Sequence, residues 1–186
     1  MLRIFCIAAT AAMSTPAIAD LVIDESTGAT LDLTASAGSG EFTAYVVIDF
    51  EHTGGGSFAF SYSFDGEATV HDALFALVDQ GLDYAFDDFG EWGIFAVNFG
   101  WGGAVGDAQN YWAHSLVTPD GSGTVDWSDA MSSVDTTWLS DGLLSGWYNG
   151  FNDDYSAITP SLPLTVPTPG AIGLIGLLVI GSRRRR

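Results

Sequence analysis

The chain has 186 residues, 23 of them Asp or Glu and only 5 Lys or Arg, for a formal net charge of −18. The five basic residues stand at the ends (Arg3, Arg183, Arg184, Arg185 and Arg186), while every acidic residue lies between Asp20 and Asp154. The body therefore carries 23 negative charges and no lysine or arginine, which excludes Lys or Arg salt bridges within it and disfavours nucleic acid or anionic lipid as partners.

Residues 1–19 read as an export signal. Arg3 is followed by a mostly apolar run, and Ala17-Ile18-Ala19 is a small-x-small cleavage site before Asp20. The one cysteine, Cys6, lies in this segment, so cleavage after Ala19 leaves a mature chain without disulfides. Residues 20–155 are enough for one acidic domain with a core of its own.

Within that domain, residues 21–24 alternate as an edge strand, and residues 31–37 alternate more weakly. Residues 42–50, FTAYVVIDF, are rich in β-branched and aromatic side chains and predict a central strand. A glycine-rich turn at 52–56 leads to residues 57–64, SFAFSYSF. There Phe58, Phe60, Tyr62 and Phe64 share one face, and the two strands form a hairpin. One helix is expected over about 69–80. Thr69 caps it, Val70, Ala73, Leu74, Leu77 and Val78 form its apolar stripe, and Gly81 stops it, with His71 and Asp72 on its solvated face. Short strands follow at 93–99, 111–118, 124–127 and 146–151, separated by glycine-rich turns such as 100–106. The expected fold class is α+β: a small, mainly antiparallel β-sheet packed with one α-helix, plus an N-terminal signal helix and a short C-terminal apolar helix.

A proline-containing stalk over 156–165 leads to the tail at 166–186. Val166-Pro167-Thr168-Pro169 opens it. An uncharged apolar helix is expected over 170–182, and Arg183 to Arg186 close it. Its 12-residue run GAIGLIGLLVIG reaches roughly 18 Å as a helix, short of a ~30 Å hydrocarbon core. The arginines favour the cytoplasmic side. This order of proline motif, apolar helix and arginine cluster resembles the PEP-CTERM sorting signal of exported bacterial proteins, with Thr168 where the family has glutamate. The resemblance implies an exosortase-type processing enzyme and the export translocon as partners. It also implies at least transient residence of the tail in the inner membrane, and association with extracellular polysaccharide at the cell surface.

The body carries a second resemblance, from 45 to 151. The Phe58 to Phe64 strand, Ala68-Thr69-Val70 entering the helix, Trp92-Gly93-Ile94-Phe95, Asn110-Tyr111-Trp112, Val125-Asp126-Trp127-Ser128, Leu139-Ser140-Asp141-Gly142 and Gly146-Trp147 are its pieces. Together they resemble an uncharacterised domain of PEP-CTERM proteins that is distantly similar to the C-terminal domain of transcobalamin. The resemblance implies the α+β fold and no particular activity.

Three chemistries have candidates. Tyr111, Trp112, Trp127, Trp138 and Trp147 are ligand-binding candidates: exposed, they offer flat platforms to a glycan or a corrinoid, and buried, they are core. Residues 118–129, TPDGSGTVDWSD, lie close to a calcium-loop frame but have Thr118 where the first carboxylate belongs, and they also read as a β-turn at Asp120-Gly121. No nucleophile elbow, metal-type histidine pairing or phosphate-cradling loop occurs, so no enzyme, metal or cofactor is expected. The leading expectation is a cell-surface structural or interaction protein, and the alternative is a small-ligand binding module.

Overall fold

The computed structural model describes residues 20–167. Strand β4 (Phe42–Asp49) is the centre of the molecule, with its last six residues all buried. It pairs antiparallel with β5 (Ser57–Phe64) along its whole length, from Phe42 opposite Phe64 to Asp49 opposite Ser57. The expected hairpin is therefore present. On its other side β4 pairs parallel with β11 (Leu144–Asn149), which pairs antiparallel with β9 (Trp112–Val117). The edges are β10 (Ser128–Asp129) beside β9 and β3 (Leu33–Gly38), which pairs parallel with β5. The result is a mixed six-stranded sheet in the order β10-β9-β11-β4-β5-β3.

Both faces of this sheet are covered, which explains why β4 is apolar at consecutive positions instead of alternating. Val46 and Ile48 point into the larger core, with Phe60, Leu74, Leu77 and Phe99. Tyr45 and Val47 point into the smaller one, with Leu31, Ala59 and Leu144. The larger core is roofed by α1 (Val70–Val78) and by a three-stranded sheet of β6 (Asp83–Asp88), β7 (Ile94–Trp101) and β8 (Ala104–Val105). Near the smaller core lies a second three-stranded sheet of β1 (Val22–Asp24), β2 (Ala29–Leu31) and β12 (Leu164–Thr165), to which β2 contributes Leu31.

The expected α+β class is overturned. Among the described residues there are three sheets and one nine-residue α-helix, so the domain is mainly β, and its main sheet contains two parallel pairs. The strands missing from the expectation carry weak local signals. In β6 the pair Tyr84 and Phe86 is framed by Asp83, Asp87 and Asp88, and β8, β10 and β12 are two residues long. The strand expected at 124–127 lies instead at Ser128–Asp129. The expected signal helix and the apolar helix over 170–182 lie outside the described residues, as do Ala17 and Ala19.

The helix forms where its pattern places it. Thr69 and Asp72 make a reciprocal capping box, in which the Asp72 carboxylate accepts from the Thr69 amide at 2.8 Å and Thr69 Oγ1 accepts from the Asp72 amide at 3.3 Å. Asp72 is thus a cap and not merely solvated. At the other end Gly81 donates to the Val78 carbonyl and Leu82 to the Leu77 carbonyl, with Gly81 at φ 107°. This is the pairing of a Schellman closure, with Leu77 and Leu82 both buried beside it.

The segment 156–165, read as a stalk, runs along the domain. Ser161 donates its amide to the buried Asp49 carboxylate at 2.8 Å, Asp32 donates to the Pro163 carbonyl, and Leu164 pairs with Leu31. Among the described residues no helix is long and apolar enough to cross a membrane.

Candidate functional site

Strands β9 and β11 set the floor of the site. Period-2 geometry puts Trp112 and His114 on one face of β9, and Ser145, Trp147 and Asn149 on the same face of β11. The register places Trp147 directly opposite His114 and Asn149 opposite Trp112. The His114 and Trp147 rings stack, with centroids 4.0 Å apart and 5° between planes. Ser145 Oγ holds both rings, accepting from Trp147 Nε1 at 3.1 Å and lying 2.9 Å from His114 Nε2. Burial pushes the His114 imidazole down to about 3, so the ring is neutral at ordinary pH. On the far face Gly146 is required, because Trp127 and Pro160 come within 2.6 Å of where its Cβ would be.

Above this floor opens a cleft of about 860 Å³. Its walls are Phe95, Ala96 and Val97 of β7 on one side, and Ala130, Met131 and Ser132 beyond β10 on another. The size falls in the range of small-molecule sites, and the lining is predominantly apolar. Met131, Tyr155 and Tyr111 are 92%, 86% and 83% exposed, so the rim presents large side chains that no other described residue covers.

Two hydrogen-bonded loops carry the tyrosines. Asn149, fully buried, accepts from the Asp107 amide and donates to the carbonyls of Asp107 and Asn110, which fixes the loop that ends in Tyr111. The second loop begins at Phe151, which bridges to Ala157. Inside it Asn152 donates to the Ser156 carbonyl and Tyr155 to the Asn152 carbonyl, and the Asp154 carboxylate accepts from Ser156. This network holds Tyr155 at φ 65°, the one positive φ at a non-glycine among the described residues. Such strain persists only where surroundings impose it, and it gathers at binding sites.

Of the expected ligand-binding residues, the structure brings three to the cleft. Tyr111 stands at the rim, whereas Trp112 and Trp147, 6% and 3% exposed, belong to its floor and to the core. Their indole N–H groups are already used, by Asn98 and Ser145. Trp127 is elsewhere, packed into the smaller core over Gly146. Trp138 is exposed but lies beside Thr69, at the helix start. Sequence reasoning missed His114, Phe95, Met131, Phe151 and Tyr155. His114 alone had a usable signal, since a strand over 111–118 puts it on the Trp112 face.

The calcium-loop residues are not gathered. The Asp120 carboxylate accepts from the Ser122 amide of its own turn, and Asp129 lies on β10 at the cleft. Among the described residues no group of three or more His, Cys, Asp or Glu is placed to hold a metal ion. Of the sorting motif, Val166 is exposed and Pro167 lies near Gly28. Thr168, Pro169 and Arg183 to Arg186 lie outside the described residues.

No family model matches the chain. No curated protein matches it either. A solved structure of a candidate metal-binding protein from Ruminococcus gnavus aligns over 60% of this chain and 100% of its own, at 17% identity and a TM-score of 0.39. That superposition is too loose to carry an argument about this chain.

Proposed function

We propose that this chain is an exported module that binds a small, ring-bearing ligand in the cleft between Tyr111 and Tyr155. The observation that carries the reading is the cleft itself: a rigid floor of stacked rings under a rim of exposed aromatic side chains held by hydrogen-bonded loops. A ring with an apolar face, whether of a sugar or an aromatic, loses little entropy on meeting pre-positioned tyrosines. This favours the binding module over a purely structural role, for which a closed core would suffice. No acid, base or nucleophile set accompanies the cleft in this reading, and catalysis is not part of it.

The two termini support export and delivery to the cell envelope, where extracellular polysaccharide is one source of ring-bearing ligands. An N-terminal signal ending at Ala19 and the arginine-ended tail bracket a body free of positive charge. Intact mass with cell fractionation tests it: the expected product begins at Asp20 and its body is outside the cytoplasm. A cytoplasmic body sinks the export reading.

The binding reading is tested with phenyl β-glucoside, which offers a sugar face and an aromatic ring. Tyr111→Ala and Tyr155→Ala should each weaken binding by about 1 kcal/mol while stability changes little. Trp147→Ala should instead cost roughly 3–5 kcal/mol of stability, as a buried ring does. A native chain that ignores the probe, or tyrosine variants that bind it unchanged, would remove the cleft from consideration.

A further inference from the structure

The charge on the ligand can be read from what surrounds the cleft. Two acidic residues line it, Asp87 on β6 and Asp129 on β10. Both residues are exposed, and neither carboxylate accepts a hydrogen bond among the described residues. Their strands are otherwise set by backbone pairing, Asp87 opposite Phe95 and Asp129 opposite Ser115. Among the described residues nothing positive answers them, because no Lys or Arg lies between Arg3 and Arg183. The cleft's only histidine is neutral, and its Nδ1 makes no hydrogen bond among the described residues. The cleft is also lined by the rings of Phe95, Tyr111 and Tyr155, and the face of such a ring carries the negative side of its quadrupole.

Resting on the reading of the cleft as a binding site, we infer that its ligand is an organic cation: an ammonium or quaternary ammonium head on an apolar or sugar body, the head between Asp87 and Asp129 and the body on Tyr111, Phe95 and Tyr155. An anionic ligand would meet only like charge there. A neutral one would gain the ring contacts alone. A cation gains the ring contacts, the attraction of aromatic faces and two free carboxylates together.

Three probes with one ring and different heads separate these cases on the full chain: benzyltrimethylammonium, benzyl alcohol and phenylacetate, titrated by calorimetry at low salt. The cation should bind about tenfold more tightly than the alcohol, and phenylacetate most weakly. Since the whole body is negative, a control is needed. Asp87→Asn with Asp129→Asn should bring the cation down to the level of the alcohol. Asp32→Asn with Glu67→Gln, an equal change of charge at exposed residues outside the cleft, should leave the tenfold preference standing. If the alcohol and the cation bind alike, or the distant pair abolishes the preference as fully as the cleft pair, the cation inference falls while the cleft remains. If Tyr111→Ala changes the binding of none of the three, the probes are not in the cleft and both readings fall.

Discussion

At the scale of single residues, His114 couples the cleft to the stability of the fold. Its imidazole is pushed down to about 3 by burial, whereas in an unfolded chain it titrates near the ordinary value of about 6.5. Between those values the unfolded state binds the extra proton, so stability falls as pH drops through that window. Acidification to pH 4.5 should then cost roughly 2 kcal/mol on account of this residue. Many carboxylates begin to titrate at the same time, but they are common to the native chain and to His114→Phe, which keeps a flat ring against Trp147. The native chain should therefore lose that amount of unfolding free energy relative to His114→Phe from pH 7 to 4.5. Parallel curves would mean that the imidazole is solvated and protonates freely. The same residue shows how far the site was legible. Alternation along residues 111–118 is enough to place Trp112 and His114 on one face, but not to say whether that face is roofed. Six tryptophans look alike in the sequence, yet Trp147 is floor, Trp127 packs on the opposite face and Trp138 stands beside the helix cap, because cover comes from strands far away in the chain.

At the scale of elements, the loop from Phe151 to Ala157 stores strain at the rim. A non-glycine residue at φ 65° costs on the order of 1–2 kcal/mol, and here the hydrogen bonds of Asn152, Asp154 and Ser156 hold it. Tyr155→Gly removes both the ring and the strain, while Tyr155→Ala removes the ring alone. The glycine variant should thus be more stable than the alanine variant by about 1 kcal/mol, even after its greater freedom when unfolded. Both should bind phenyl β-glucoside equally weakly. Equal melting of the two would show that the left-handed conformation is not imposed on the native chain. Elements with local signals were legible in the same way: β4 by its β-branched run, β5 by strict alternation, and α1 by its stripe, its cap and Gly81. Elements that exist only through a partner were not. Strand β12 forms because Asp49 and β2 fix the returning chain, and β8 because it folds back on the end of β7. Neither two-residue piece carries a period. The parallel pairs β11–β4 and β3–β5 join segments that no turn connects, so their register has no local signature either.

At the scale of the whole molecule, electrostatics is governed by a body with 23 carboxylates and no lysine or arginine. Several of these groups are held ionised by their own turns. Asp24 lies below its usual range through Ser26 and Thr27, Asp120 through Ser122, and Asp154 through Ser156. Such Asx-type bonds steady individual loops, but they supply no counter-charge, and the summed repulsion favours expansion. Screening acts on that repulsion over a distance of about 10 Å at 0.1 M salt. Raising NaCl from about 10 to about 500 mM should therefore raise the melting temperature by several degrees, the equivalent of roughly 1–2 kcal/mol for a domain of this size. A flat response would mean that the carboxylates are spaced too widely to repel one another at low salt. The divalent ions separate diffuse screening from a built site. The carboxylates of Asp24 and Asp120 are turned onto their own loops and Asp129 stands apart on β10, so Ca²⁺ and Mg²⁺ at matched ionic strength should shift melting equally. A Ca²⁺ response well above that of Mg²⁺, lost in Asp120→Asn, would instead require the loop at 118–129 to close around the ion, and the geometry of its turn would then have to change on binding.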